Sequence, residues 1–284
     1  MLKIALPKSN EFTRRSIEIL RKAGIDFSQN ADEFGVFYSQ DFPAQIRIME
    51  FDQIISAVAS GGQDIGIVGK HHFENSEAQI NCVHTFSSYK RNFSLLVNKS
   101  MKYRGLESMT GRKIATAFPN LVSKFFKSKN IRIEIFTFQV PLSLSVDLGI
   151  ADGSCALTDE NILNFYSQMR EVEVIMQSCP VIISGKELPA ARQIILDELI
   201  DRVISVQNAE GKKMIYVPVP IDKKEHVLQV LELHNYKMIE MTTNSGDYAV
   251  IHILADEKNL WDLKTHLKSL GAEDIFVMPI DKII

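Results

Sequence analysis

Strand-length apolar runs alternate with amphipathic helix patterns over residues 1–207, and this alternation constrains the fold more than any other feature. The first pair is a strand at residues 2–6 and a helix that stops at Gly24. Strands that alternate with helices favour an α/β architecture. The patterns cross between two groups of strands near residues 95 and 178, which favours a hinged body of two lobes around a central cleft.

A third domain is predicted after residue 210. A linker pattern at residues 208–213 is followed by a strand, a helix, two strands, a helix and a strand. This β-α-β-β-α-β order is the ferredoxin-like pattern that many small-molecule regulatory domains use. Trp261 lies beside leucines in the second of these helices, where we expect a core position. The predicted domains are lobe I (1–95 and 178–207), lobe II (96–177) and a ferredoxin-like α+β domain (211–284).

Composition excludes several classes of protein. A chain of 284 residues with 45% hydrophobic and 24% charged residues has the composition of an ordinary globular protein. A net charge of -3 without a Lys/Arg run argues against a nucleic-acid binder. No window approaches the ~20 apolar residues of a membrane span, and the start lacks the apolar core of a signal peptide. Cys82, Cys155 and Cys179 lack metal-type spacing, which predicts reduced thiols and a cytoplasmic protein.

Residues 149–175 carry the motif that indicates a function. They begin with the turn Gly-Ile-Ala-Asp at 149–152 and end with the alternating run Glu-Val-Glu-Val-Ile at 171–175. A segment that leaves a strand, turns on Gly and Asp and enters a helix is where α/β proteins hold phosphate on helix amides. Here the chain resembles the ATP phosphoribosyltransferases. In that family a Gly-Leu-Ala-Asp turn precedes the loop Asp-Leu-Val-Ser-Thr-Gly-x-Thr, which wraps the 5-phosphate of phosphoribosyl pyrophosphate.

Other motifs of this family recur in order along nearly the whole chain. Pro-Lys-Ser at residues 7–9 matches the first turn, and residues 61–69 match Gly-x-x-Asp-Ile-Gly-Ile-x-Gly. Residues 106–116 end in the Gly-Arg-x-Ile-Ala-Thr type of entry to the second lobe. Residues 270–282 resemble the C-terminus of the long-form enzyme.

The resemblance implies a fold, an activity and a set of site residues. It implies a catalytic body like the periplasmic binding proteins, which transfers phosphoribosyl from phosphoribosyl pyrophosphate to ATP in the first step of histidine biosynthesis. It further implies Mg²⁺ bridging the pyrophosphate, histidine or another small ligand at the regulatory domain, and a homo-oligomer, either a dimer or a hexamer. The substrate-binding residues implied for this chain are Lys8, Ser9, Gly69, Thr116, Asp152 and Thr158, with no residue assigned to catalysis or to a metal.

Several charged positions depart from the family pattern. Glu11 and Asn92 stand where the family has Arg, and Ser143 stands where it has Glu. At the ligand edge the family continues Glu-Asn, whereas this chain has Lys70-His71-His72. On an extended segment His71 and His72 point to opposite faces, so we do not expect them to chelate a metal together.

The phosphate loop itself reads Ala-Leu-Thr-Asp-Glu-Asn-Ile-Leu over residues 156–163. Two carboxylates, Asp159 and Glu160, would each cost roughly 4 kcal/mol beside a phosphate near a protein surface. Together they would offset the about 8 kcal/mol of a micromolar affinity. We therefore expect this loop not to bind a 5-phosphate in the family's way. The alternative is that Lys8, Lys70 or Arg91 neutralises the two carboxylates and rebuilds an anion site nearby.

Two classes of function follow. The chain is either an ATP phosphoribosyltransferase or a catalytically degenerate relative that acts as a small-molecule-binding or regulatory subunit. Some positions stay open between a ligand role and a structural one. Lys8 either reaches a phosphate or is solvated, and residues 116–120 form either an anion site or a plain helix cap. Asp64 is expected to end a turn by local hydrogen bonds.

Overall fold

A computed structural model describes the chain in two compact units, residues 1–21 with 25–200, and residues 22–24 with 201–284. The first unit contains two sheets and the second contains one. The residues outside the description are 9, 29, 88, 138–144, 147, 159–167, 234–235, 243–246 and 273, together with the side chains of 10–11, 233 and 237–242.

The elements of residues 1–209 alternate as the sequence predicts. The strands are β1 (Leu2–Pro7), β2 (Val36–Tyr38), β3 (Ala44–Met49), β4 (Ile65–Gly69), β5 (Ile80–Thr85), β6 (Arg91–Asn98), β7 (Lys113–Thr116), β8 (Glu134–Thr137), β9 (Gly153–Thr158), β10 (Met169–Ser178) and β11 (Pro180–Gly185). The helices are α1 (Asn10–Lys22), α2 (Phe51–Ala59), α3 (Lys70–Asn75), α4 (Pro119–Ser128) and α5 (Ala190–Ala209).

Lobe I is built on a six-stranded sheet of order β2-β3-β1-β4-β11-β5. β1 runs parallel to β3 and β4, whereas β11 runs antiparallel to β4 and β5. Parallel strands bring their carboxyl ends to one edge of a sheet, and α1, α2 and α3 follow these ends directly. Part of the core of this lobe consists of Ala5, Ile54, Val58, Val68, Val181 and Ile183.

Lobe II is built on a five-stranded sheet of order β10-β6-β9-β7-β8. β7 runs parallel to β8 and β9, so α4 begins at the carboxyl edge of this sheet. Pro119 at the first position of α4 suits a helix start because its missing N–H is not needed there. The core beneath includes Phe93, Leu95, Ile114, Val122, Phe126 and Cys155.

The second unit has the predicted ferredoxin-like order. Its strands are β12 (Lys212–Pro220), β13 (Lys237–Thr242), β14 (Tyr248–Asp256) and β15 (Phe276–Pro279), and its helices are α6 (Lys224–Leu233) and α7 (Leu260–Ser269). The strands form an antiparallel sheet of order β13-β14-β12-β15. The fold class, a two-lobed α/β body with a ferredoxin-like domain, is confirmed.

Two of the three expected boundaries differ from the structure. All of β6, from Arg91, pairs within the sheet of lobe II, so the first crossing between the lobes lies between β5 and β6 and not near residue 95. The return crossing lies at Cys179, between β10 and β11, next to the expected residue 178. The expected linker at 208–213 shortens to two residues, because α5 continues to Ala209 and β12 begins at Lys212.

Two local predictions need correction. The segment after the Gly-Ile-Ala-Asp turn first enters strand β9, because Gly153 to Thr158 find hydrogen-bonding partners in β6 and β7. The helix start expected at Thr158 or Asp159 falls on residues 159–163, which lie outside the description. Lys70-His71-His72 is the start of helix α3 and not an extended segment.

A third local prediction, a core position for Trp261, is also wrong. Trp261 is 70% exposed, with the ammonium of Lys264 5.2 Å from its ring centre. Leu263 and Leu267 form the buried face of α7. A residue two positions before Leu263 lies about 200° around a helix from it, so Trp261 faces the other way.

The described helices include none that is long and apolar enough to cross a membrane.

Candidate functional site

A cavity of about 370 Å³ lies between the two lobes, at the carboxyl edge of both sheets. Lobe I contributes residues of α1, the start of α2 and α3. Lobe II contributes the start of β6, the residue before α4 and the end of β9. Ligands of open α/β sheets bind in the crevice outside the carboxyl ends of the strands, and this cavity occupies that place.

Aromatic rings from both lobes form the walls. Phe51 and His72 stack in parallel, with ring centres 4.2 Å apart and planes 3° apart. Phe118 of lobe II approaches His71 and His72 edge-on, at 4.8 and 4.9 Å between ring centres. Such edge-to-face and stacked pairs are favourable arrangements of aromatic rings. The walls therefore present flat, weakly polar surfaces.

His71 is fixed in place by Ser178 and Gly69. The backbone N–H of His71 donates to the Ser178 hydroxyl at 3.2 Å, and the ring Nδ1 lies 2.7 Å from the same oxygen. A Cβ on Gly69 would lie 2.3 Å from the imidazole Cε1, so only glycine allows the ring to pack against the end of β4. Gly69, predicted as a site residue, lines the cavity.

Both imidazoles are held neutral. Burial lowers the pKa of His71 well below its usual value, and the neighbouring His72 and Arg91 act in the same direction. Burial lowers the pKa of His72 to about 4, against a smaller opposing effect of Asp52. At neutral pH the two rings are therefore uncharged walls and not cations.

The cations lie at the rim. The Arg15 guanidinium lies 4.3 Å from the centre of the Tyr89 ring, and both residues line the cavity together with Arg91. Burial raises the pKa of the Cys179 thiol, while the charges of Lys70 and Lys90 oppose that rise. None of the described residues that line the cavity is acidic. The rim therefore favours a polyanion, and the interior favours a ring.

Helix α3 of lobe I caps helix α4 of lobe II. The Asn75 side-chain oxygen accepts hydrogen bonds from the backbone N–H groups of Asn120 and Leu121, at 3.0 and 3.1 Å. The Asn120 side-chain amide donates to the Asn75 carbonyl at 3.1 Å, and Lys124 donates to the Glu74 carbonyl at 3.1 Å. Of the two alternatives for residues 116–120, the described contacts are those of a cap.

Thr116 and Thr158 use their hydroxyls inside lobe II. The Thr116 hydroxyl donates to the Cys155 carbonyl at 2.9 Å and accepts from the Phe118 N–H at 3.0 Å, so it shapes the entry to α4. The Thr158 hydroxyl is buried within hydrogen-bonding distance of Glu171, at 3.3 Å from its Oε2. It does not line the cavity, although its neighbour Leu157 does.

Asp152 and Lys8 lie apart from the cavity. The Asp152 carboxylate accepts from Arg112 at 2.9 Å and from the Lys113 N–H at 2.8 Å, before the amino end of β9. Lys8 lies 3.9 Å from Glu50 and faces an open hollow beside α1. Asp64 accepts from the Lys3 N–H, 61 residues away, and from Arg192, 128 residues away, so the contacts described for its carboxylate are long-range and not the local ones that were expected.

Other predicted positions fall outside the description. Ser9, Ser143 and residues 159–163 are among them, as is the side chain of Glu11. The first residues of the expected loop are described: Ala156 and Leu157 belong to β9, and both line the cavity. Leu157 also packs against the core of lobe II.

The aromatic residues and Ser178 were not predicted from the sequence as site residues. Phe12, Phe51 and Phe118 each lie within or next to the first turn of a helix that follows a strand. That recurring placement was a signal, because the first turns after parallel strands meet at the same edge. Ser178 gave no such signal, since it is 107 residues from its partner His71.

No group of three or more His, Cys, Asp or Glu side chains among the described residues could hold a metal ion. The rings of His71 and His72 lie 4.4 Å apart, closer than an extended segment would allow. Nδ1 of His71 is already hydrogen-bonded to Ser178, and the described lining offers no carboxylate. The described residues therefore do not fit a resident Mg²⁺, which prefers carboxylate oxygens.

The fold and the cavity define a two-lobed α/β protein with a cavity between its lobes and a ferredoxin-like C-terminal domain. Residues 51–205 match the family described as ATP phosphoribosyltransferase, and residues 209–282 match the family described as HisG, C-terminal domain. The chain belongs to the ATP phosphoribosyltransferase family.

Relatives with that name align along their whole length. An ATP phosphoribosyltransferase from Bacteroides fragilis is 30% identical over 284 residues and is covered completely, as is this chain. One from Cytophaga hutchinsonii is 30% identical over 285 residues, covering 100% of this chain and 99% of that protein. The solved ATP phosphoribosyl transferase (HisG:HisZ) complex from Thermotoga maritima has a TM-score of 0.59 and 18% identity, covering 72% of this chain and 99% of the other, and supports the fold alone.

Proposed function

We propose that the protein transfers a phosphoribosyl group from phosphoribosyl pyrophosphate to ATP, the first step of histidine biosynthesis. The main support for the proposal is the interlobe cavity, whose walls are formed by aromatic rings and whose rim carries cations. The chain also aligns completely with relatives of that name. A purine ring suits the walls, and the phosphates of both substrates suit the rim.

In this reaction a ring nitrogen of ATP attacks the anomeric carbon of the phosphoribosyl group. The new C–N bond forms with the nitrogen lone pair, and pyrophosphate leaves with the electron pair of the broken C–O bond. The residues that line the cavity contribute by position and charge: the stacked walls orient the ring, and Arg15 and Arg91 face the phosphates. Any Mg²⁺ would be held by the substrate phosphates, because the described lining offers it no carboxylate.

The second candidate is a catalytically degenerate relative that binds a small molecule or serves as a regulatory subunit. Two observations favour it. Asn75 occupies two amides at the start of α4 that would otherwise be open to an anion. Ala156 lines the cavity where the resemblance places a carboxylate, the first residue of the family's phosphate loop.

The remaining parts of the proposal concern regulation and assembly. The ferredoxin-like domain binds histidine or a similar amino acid as an allosteric regulator, and the protein forms a homo-oligomer in the cytoplasm. The match of residues 209–282 to a domain named for this family supports the regulatory role. Calorimetry with histidine and the other amino acids tests it, and silence across the whole set, with the domain folded, contradicts it.

The test of the activity is turnover. Purified protein is incubated with ATP, phosphoribosyl pyrophosphate and MgCl₂, and both products are measured by chromatography. We expect phosphoribosyl-ATP and pyrophosphate in equal amounts. Binding of ATP without either product would favour the second candidate.

Two neighbouring arginines of α1 sharpen this test. Arg15→Ala removes a cation that lines the cavity, and we expect turnover to fall by about tenfold or more, because one such phosphate contact contributes roughly 1.5–3 kcal/mol. Arg14→Ala is the matched control, since Arg14 is exposed and faces the open hollow on the other side of α1. Equal losses in both variants would remove Arg15 from the site.

A further inference from the structure

We infer that His71, held in one tautomer by Ser178, is a specificity-determining residue that donates a hydrogen bond from Nε2 to an unprotonated ring nitrogen of the purine in the interlobe cavity. The inference rests on the proposed function, because it takes a purine nucleotide as the ligand of that cavity. It adds to that function the residue that recognises the purine, His71, and the group that it recognises, an unprotonated ring nitrogen.

The tautomer follows from the two contacts of the Ser178 hydroxyl. Its oxygen accepts the backbone N–H of His71 at 3.2 Å, and it lies 2.7 Å from Nδ1 of the same residue. The distance fits either donor, but the hydroxyl already accepts the backbone N–H, and among the described contacts its own proton has Nδ1 as acceptor. The hydroxyl therefore donates its proton to Nδ1, and the one proton of the neutral imidazole resides on Nε2.

The surroundings keep the ring uncharged and immobile. His71 is 6% exposed, and its ring packs against Gly69 on one side and the edge of Phe118 on another. Burial lowers the pKa of the imidazole well below its usual value, so the ring stays neutral at pH 7. Among the described residues, the hydrogen bonds of the ring go to Ser178 alone, which leaves the Nε2–H for a ligand in the cavity that the ring lines.

A neutral donor between aromatic walls selects a particular ligand group. The guanidinium groups of Arg15 and Arg91, which are charged and more exposed than His71, suit the phosphates. An uncharged Nε2–H matches an uncharged acceptor, and a ring nitrogen of a stacked purine is such an acceptor. Sites that hydrogen-bond a ligand group discriminate strongly against analogues without that group, because the buried partner is then left unpaired.

The test begins with ATP binding, measured by calorimetry without phosphoribosyl pyrophosphate. His71→Phe keeps a flat ring and removes the donor, and we expect roughly fivefold to tenfold weaker binding, the effect of one hydrogen bond. Ser178→Ala frees the tautomer and is expected to weaken binding by about twofold to fivefold. The matched control is His84→Phe in β5, a histidine of the same lobe outside the cavity lining, which should change binding less than twofold. Thermal unfolding shows that each variant is folded.

The decisive measurement is whether the loss of affinity caused by His71→Phe and the loss caused by removing one ring nitrogen from the ligand are additive. The analogues 1-deaza-, 3-deaza- and 7-deaza-ATP each replace one ring nitrogen by carbon. We expect one analogue to bind the wild-type protein about as weakly as ATP binds His71→Phe, and to lose nothing further in that variant. A merely structural role for His71 would weaken all four nucleotides equally in the variant, and that result would overturn the inference.

Failure of the inference and failure of the proposed function look different. Turnover in the wild-type protein without coupling to any deaza analogue overturns the inference and leaves the function intact. Coupling to one analogue without turnover supports the inference and contradicts the transferase. No binding of ATP or AMP by the wild-type protein overturns both.

Discussion

The two lobes fasten the amino end of one sheet strand by the same device, and they differ in how deeply they bury it. In lobe I, Asp64 precedes β4, accepts the Lys3 N–H at 2.8 Å and pairs with Arg192 at 2.6 Å. In lobe II, Asp152 precedes β9, accepts the Lys113 N–H at 2.8 Å and pairs with Arg112 at 2.9 Å. The Asp64 side chain is 3% exposed and the Asp152 side chain is 31% exposed.

In each motif, the part that anchors a strand differs from the part that lies beside the cavity. Both aspartates belong to family motifs, at residues 61–69 and 149–152, and both hold the amino end of a strand. The cavity lies at the other end of the same strands, where Gly69 ends β4 and Leu157 lies near the end of β9. A strand separates its two ends by several residues at about 3.3 Å each. One motif can therefore contain an anchor and a site residue that never meet.

The largest expected effect is the loss of the buried anchor. Asp64→Ala leaves the Lys3 N–H without its acceptor and Arg192, whose side chain is 34% exposed, without its partner. Each such hydrogen bond to a charged group contributes about 1.5–3 kcal/mol, so we expect a total loss of about 3–5 kcal/mol. Asp152→Ala, at the more exposed anchor, should cost about 1 kcal/mol. Urea unfolding of the two variants measures both values. Equal losses of unfolding free energy would contradict the claim that the buried anchor of lobe I contributes more than the exposed anchor of lobe II.

The next effect is on pH dependence. His72 has a pKa of about 4 in the folded protein and about 6.5 when unfolded, so between these values the unfolded chain binds a proton that the folded chain excludes. The free energy of unfolding should therefore decrease as the pH falls from 6.5 to 4, by on the order of 3 kcal/mol from this residue, and lose nothing more from it below pH 4.

The control for the pH prediction is His72→Phe, which keeps the stack on Phe51 without a titrating group. Its unfolding free energy should fall less steeply over the same interval, since His71 alone remains in the cluster. Identical pH profiles of the two proteins, measured by urea unfolding, would show that the His72 ring is accessible to water in the folded state.

The smallest effect is expected at Lys8. Its contact with Glu50 is 3.9 Å long, and the two side chains are 76% and 61% exposed. Such surface pairs contribute about 0–1 kcal/mol. Lys8→Ala should leave unfolding nearly unchanged, and ATP affinity within about twofold, since the residue faces a different hollow from the cavity. A tenfold loss of affinity would place Lys8 at the ligand after all.

The features of the fold that depend on local sequence patterns could be predicted. β1, β4 and the order of elements in the ferredoxin-like domain follow from apolar periodicity, and the structure agrees. Helix α3 was missed because it has only six residues, too few for the hydrophobic period of a helix to be recognised. Trp261 was misplaced because proximity to leucines in sequence does not give the side of the helix on which a residue lies.

The site was harder to predict because its contacts are distant in sequence. Asn75 caps a helix that begins more than 40 residues later, and Ser178 fixes a histidine 107 residues earlier. Strand β9 also differs from the prediction: the family pattern predicted a loop from Ala156, whereas backbone pairing with β6 continues to Thr158. Only the tertiary structure brings these groups together.

The most direct test of the central claim, that ligand binds at the carboxyl ends of these strands while the amino ends serve as anchors, is amide hydrogen exchange with and without saturating ATP. We predict slower exchange at residues 67–75 and 118–122, with no change at residues 148–153. Slower exchange at residues 148–153 with no change at residues 67–75 would contradict the claim.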